Sequence, residues 1–171
     1  MSFANTDSIV ADDLNNMLRG LSKDNSDNAH TGDTAETDLA SVTLAANSMG
    51  TTGGIHVLAW GTTTGTAGTK TIRGYFGGTA VGVGLIVAQA DADEWIYEFW
   101  IYNTSTSAQI GTTRAMKAAG SGGASEVFGN YSATFTIDTT ASVIVKMTGE
   151  LGNGGDTVTQ KGFNILVIEP T

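Results

Sequence analysis

Cysteine is absent from the 171 residues and proline occurs once. No disulfide can staple the fold, and none is needed: a chain of this length suits one domain, able to bury roughly two-thirds of its unfolded surface. A cysteine nucleophile is excluded, and the redox compartment is left open. Positive charge is scarce. Eight Lys and Arg stand against 17 Asp and Glu, for a net charge of -9, which argues against a surface for nucleic acid or anionic lipid and favours a neutral or basic partner. Long apolar runs are missing too. The weakly polar stretch from Thr79 to Ala90 covers about 12 residues where a bilayer helix needs about 20, so no membrane span is expected. The first residues include Asp7, Asp12 and Asp13 and no basic stretch, which speaks against a secretory signal.

What is present divides in two. From Asp7 to Leu21, the apolar residues Val10, Leu14, Met17, Leu18 and Leu21 recur on one side of a 3.6-residue repeat, which predicts an amphipathic helix. Thr6, Asp7 or Ser8 can cap its start, and the early aspartates suit its positive end. Gly20 and the polar run from Ser22 to Asn28 predict its stop. Residues 22–37 then read as an arm too polar to join a core. So short a helix cannot bury its stripe unaided, so it must lie on this chain's own β body or on a neighbouring subunit. The predicted organisation is an anchor helix and arm over residues 1–37 and a β body over residues 38–171.

In the body the period is two. Candidate strands are Leu39 to Ala46, Ile55 to Trp60, Thr69 to Phe76, Thr79 to Val87, Trp95 to Asn103, Ala108 to Lys117, Val127 to Ile137, Ser142 to Glu150 and Val158 to Ile168. Glycine clusters separate them, and no helix intervenes. The expected fold is therefore mainly β, an antiparallel sandwich or barrel. Alternation sends Trp95, Tyr97, Phe99 and Ile101 to one face, the core, and Glu94, Ile96, Glu98, Trp100 and Tyr102 to the other. The same parity points Val143, Val145, Met147, Phe163, Ile165 and Val167 inward and Lys146, Asn164, Leu166 and Ile168 outward. An outer face with so much apolar area marks either an interface or a surface covered by the same chain. Glycines inside strands, at Gly74, Gly82, Gly84, Gly111 and Gly129, indicate sheet curvature or close approach of another backbone.

Motifs for chemistry are incomplete. The stretch Gly61 to Thr71 resembles a phosphate loop, but Thr69 stands between Gly68 and Lys70 and a strand follows where a helix is required, so it reads as a connection. Asp24, Ser26 and Asn28 have calcium-loop spacing, yet Ala29 occupies the turn position and Ala35 the closing position, with Glu36 one residue late. Asp91, Asp93 and Glu94 form a second carboxylate cluster that reads as a solvated turn. His30 falls in the arm, and His56 reads as an outward strand residue between Ile55 and Val57. Ser121 lacks the surroundings of a nucleophile elbow. Glu94 and Glu98 share a face about 13 Å apart, too far for a two-carboxylate glycosidase. No catalytic, cofactor-binding or metal-binding residue is assigned.

Several stretches together resemble small tailed-bacteriophage virion proteins: Leu14 to Leu21, Lys23 to Asn28, Glu36 to Ser41, Ala67 to Arg73, Ile101 to Thr104, Thr148 to Asn153 and Asp156 to Gln160. These stretches are strand and turn signatures spread over nearly the whole chain. The resemblance implies a jelly-roll-like β domain in a virion, commonly trimeric, serving as a head decoration (cement) protein, a head fibre or a tail component. A decoration protein would contact the major capsid protein, with Val10, Leu14, Met17, Leu18 and Leu21 on the anchor and Ile96, Trp100 and Tyr102 on the body as interface residues. The alternative is a tail or fibre module in which Trp60, Trp100 or Tyr131 stacks on a host-surface glycan. Both readings place the chain in the virion and give it no reaction.

Overall fold

Alternating burial, the mark of a strand with one face in a core, runs along the long strands of the computed structural model, which describes residues 19–88, 93–118, 126–168 and 170, with backbone alone for 19–23 and 126–131. Twelve strands result: β1 (Arg19–Asp24), β2 (Asn28–Thr31), β3 (Thr37–Leu44), β4 (Gly54–Thr64), β5 (Lys70–Phe76), β6 (Thr79–Ala80), β7 (Leu85–Val87), β8 (Asp93–Ser105), β9 (Ala108–Lys117), β10 (Glu126–Phe135), β11 (Val143–Leu151) and β12 (Thr157–Ile168). All pairings are antiparallel. They form a seven-stranded sheet, ordered β1-β12-β4-β8-β9-β10 with β2 also on β12, and a five-stranded sheet, ordered β3-β11-β5-β6 with β7 also on β5. The two sheets make a sandwich-like body.

The core between them is the set that period two predicts. Trp95, Tyr97, Phe99 and Ile101 are buried, as are Val143, Val145, Met147, Phe163, Ile165 and Val167. Close approach of the sheets explains Gly74 on β5: a Cβ there would sit 2.7 Å from the Phe99 ring and crowd Tyr97. The Tyr97 hydroxyl donates to the Val81 carbonyl at 2.7 Å. Burial pushes its pKa up to about 12, so it remains a donor.

Four expectations are corrected. The predicted strand from Thr79 to Val87 is broken into β6 and β7, because Gly82 takes φ +77, a left-handed conformation that interrupts the extended chain. The stretch from Gly61 to Thr71, expected to be a loop between strands, is strand at its start, since β4 runs past Trp60 to Thr64; β5 begins at Lys70, close to the expected Thr69. The predicted helix fails where it can be checked: Arg19, Gly20 and Leu21 are in β1, with Arg19 opposite Val167 and Gly20 opposite Leu166 on β12. For these residues, the backbone partners offered along the β12 edge outweigh the helical spacing. Val10, Leu14, Met17 and Leu18 lie outside the described residues. The supposed polar arm joins the sheets through the end of β1, all of β2 and the start of β3, and β2 buries His30 beside Val158. Among the described residues there is no helix.

Candidate functional site

The glycine-rich loop after β4 is structural. Lys70 and Asp156 are both fully buried, with Nζ 3.3 Å from Oδ2. Lys70 also donates to the carbonyls of Thr66 and, at 3.0 Å, Gly68. Asp156 Oδ1 accepts from the Thr66 amide at 2.5 Å. Burial alone would raise the Asp156 pKa, but the Thr66 amide and hydroxyl and the Lys70 ammonium outweigh it and hold the carboxyl below its ordinary value. The ammonium that suggested phosphate binding therefore points into the protein. At the calcium-like spacing, Asp24 accepts from the amide and hydroxyl of Ser26, and the Asn28 amide donates to the Leu39 carbonyl. Among the described residues no three carboxylates or histidines cluster closely enough to hold a metal.

The two outer faces of the sandwich differ in kind. On the five-stranded sheet, Glu36 accepts from Tyr75 at 2.7 Å and Thr148 at 2.5 Å. Arg73 lies 3.4 Å from Glu36 and 2.6 Å from Glu150. Lys146 pairs with Asp38 at 2.7 Å and lies over the Tyr75 ring. Burial opposes ionisation of Glu36, but Thr148, Tyr75 and Arg73 overcome it and lower its pKa. That face holds a network of matched charges, with Ile86 and Ile144 exposed beside it.

The outer face of the seven-stranded sheet is built from aromatic and aliphatic rungs. Across β4, β8 and β9 the register sets Trp60 opposite Ile96 opposite Met116, then Leu58, Glu98 and Arg114, then His56, Trp100 and Thr112, then Gly54, Tyr102 and Ile110. Trp60, Ile96, Tyr102 and Ile110 are all more than a third exposed. As expected, His56 points outward: its ring stacks on Trp100 at 4.8 Å between centroids, and Nε2 lies 2.7 Å from Glu98 Oε1. The Glu98–Arg114 rung divides the face. On one side, Trp100, Tyr102 and Thr112 line one depression, and Tyr102, Ile110 and Thr134 line another of about 590 Å³. On the other side, Trp60 and Ile96 line a trough of about 540 Å³.

Ile96, Trp100 and Tyr102 thus occupy the face that alternation assigned them, although the charged rung separates Ile96 from the other two. Leu21 belongs to β1 at the edge of the same sheet. Tyr131 pairs with Thr113 through its backbone, and its side chain lies outside the described set, as do Asp91 and Ser121. Sequence reasoning missed Gly162 on β12, opposite Trp60. A Cβ at that position would sit 2.1 Å from the indole ring, so the ring occupies the space that the missing side chain leaves. A glycine directly across from a tryptophan is the signal that could have found it.

No protein-family model matches the chain, and no curated protein is significantly similar to it. Among solved structures it is similar to a protein of unknown function from Shewanella oneidensis MR-1, at 11% identity and a TM-score of 0.39 over 71% of this chain and 61% of that one. It is also similar to chains of infectious bursal disease virus, at 13% identity over 90% of this chain, with TM-scores of 0.29 for the Gx strain and 0.22 for the Gt strain. The chain spans 61% of the Shewanella protein's length and 42% of each viral chain. Likenesses this slight carry no argument about function.

Proposed function

We propose that the chain is a structural protein of a bacteriophage virion, a capsid decoration protein that self-associates, as a trimer, and ties neighbouring major capsid subunits together. The observation that supports this is the contrast between the two outer faces: one carries a network of ion pairs beside isolated exposed Ile86 and Ile144, and the other presents stacked and exposed aromatic rungs. A soluble chain has little reason to keep contiguous aromatic area in water unless another molecule covers it. The sequence resemblance to small phage virion proteins supplies the setting, and the Trp100, Tyr102 and Ile110 half of the face supplies the contact. A protein that binds only the assembled shell stabilises it by mass action, and bridging several subunits multiplies the effect. The reading gives the chain no reaction.

The test combines light scattering on the purified protein with melting of capsids that lack it. A trimer at micromolar concentration, dissociated by Trp100→Glu without loss of the folded body, is expected. Added protein is expected to raise the capsid melting temperature. A monodisperse native monomer that leaves capsid melting unchanged would overturn the reading.

A further inference from the structure

The trough on the Trp60 side of the charged rung has a construction of its own. Two outward rungs flank it: Trp60, Ile96 and Met116, and the pair Thr62 and Glu94, beyond which the Ala118 amide bonds to the Glu94 carbonyl at 2.8 Å. The intervening positions, including Gly61 and Trp95, complete the lining. Three strands and two rungs give a floor of roughly 10 by 7 Å. The trough's volume of about 540 Å³ falls within the range of small-molecule sites. Such sites join an apolar surface to a few fixed polar groups, and this one has that composition.

We infer that this trough binds one ring of a neutral pyranose glycan, stacked on Trp60. The indole is 36% exposed, and Gly162 makes room for it against β12, because any side chain at that position would displace it. A pyranose with equatorial hydroxyls offers a flat face of C–H groups to such a ring and turns its hydroxyls outward to the rim. The rim can answer them. The Glu94 carboxylate accepts, the Thr62 hydroxyl both donates and accepts, and the Lys161 ammonium donates. Lys161 is fixed by Asp27 at 2.6 Å, which also neutralises it. The net charge of -9 disfavours an acidic sugar by repulsion, so the ligand is neutral. The inference concerns a different half of the face from the proposed subunit contact and does not depend on it.

The probes are cellohexaose and chitohexaose, titrated to millimolar concentration against the full chain by calorimetry and by ligand-observed NMR. The native protein is expected to bind at least one of them. Trp60→Ala is expected to weaken binding at least tenfold, and Gly162→Ala severalfold although Trp60 is retained. Glu94→Gln, which keeps the shape, is expected to weaken it by a smaller factor. Melting curves identify any variant that has lost its fold, and Trp60→Phe keeps an aromatic platform as a second test, expected to lose less affinity than Trp60→Ala. No binding of either sugar by the native chain would overturn the inference, as would undiminished binding by folded Trp60→Ala. If Trp60→Ala instead changes the oligomeric state while sugar has no effect, the trough is a protein contact and the inference fails.

Discussion

Asp156→Asn leaves the Lys70 ammonium in the interior and removes the charge that faces it. Both side chains are 0% exposed, and their charged atoms are 3.3 Å apart. Removing one partner of a fully buried pair costs about 3–5 kcal/mol, because the remaining charge stays desolvated without its counterion. For a chain of this length each kcal/mol moves the melting temperature by about 2–4 °C, so the drop is roughly 6–20 °C. Urea unfolding followed by circular dichroism and tryptophan fluorescence measures it, with the midpoint shifting at constant slope. The double variant Lys70→Met with Asp156→Leu removes both charges and is expected to recover much of the loss, though not the acceptor for the Thr66 amide. The dependence on pH has a definite sign. The folded-state pKa of Asp156 is lowered from 3.8, so its stabilisation is complete above that value and is lost as pH falls below it, through the folded pKa. The gap between native and Asp156→Asn proteins is therefore expected to be constant near neutrality and to close only in strong acid. A loss below about 1 kcal/mol, or a double variant worse than the single one, would refute the reasoning.

Trp95→Glu buries an unpaired carboxylate in the core and is expected to abolish the cooperative thermal transition, whereas Trp100→Glu on the outer face is expected to leave it within a few degrees of native. Gly74→Ala places a methyl group against the Phe99 and Tyr97 rings; overpacking of this kind costs about 1–3 kcal/mol, read from the shift in urea midpoint. Removal of residues 1–31 strips β1 and β2 from β12 and opens an edge of the large sheet, so a lower melting temperature and aggregation on size-exclusion chromatography are expected. A truncated chain as stable and monodisperse as the intact one would show that these strands contribute nothing.

The faces of the long strands were legible because period two is a local property. The indoles and rings from Trp95 to Tyr102 alternate in the sequence as they do in space, and the apolar outer face follows from the same count. Strands β1 and β2 were not legible. Leu21 continues the helical spacing of the residues before it, yet it lies in β1, and the pairing of Arg19 to Asp24 is decided by β12, far along the chain. β2 is polar, and its membership in the sheet shows only in burial of His30. The Lys70–Asp156 pair was hidden for the same reason: each residue looks like an ordinary loop charge until the fold brings them together. Of the candidate site, Ile96, Trp100 and Tyr102 could be placed on their face from sequence, while the charged rung between them and the seat for Trp60 on Gly162 depend on cross-strand register.

The position of β12 has a consequence for synthesis. That strand joins β1 and β2 on one edge to β4 on the other, so the large sheet cannot close until residues 157–168 have been made. In the interval β4 and the β8–β9–β10 meander exist without the neighbour that completes them, and the edge of β4 stays open to other chains or to proteases. Ribosome-bound chains stalled before residue 157 are expected to be cut readily within residues 54–64, and protection there would argue for a different order of events. An incomplete chain is thereby distinguished from a finished one before any partner is met. Trp60 has its seat only when Gly162 arrives, so a strand made well after β4 sets the shape of the surface on which recognition depends.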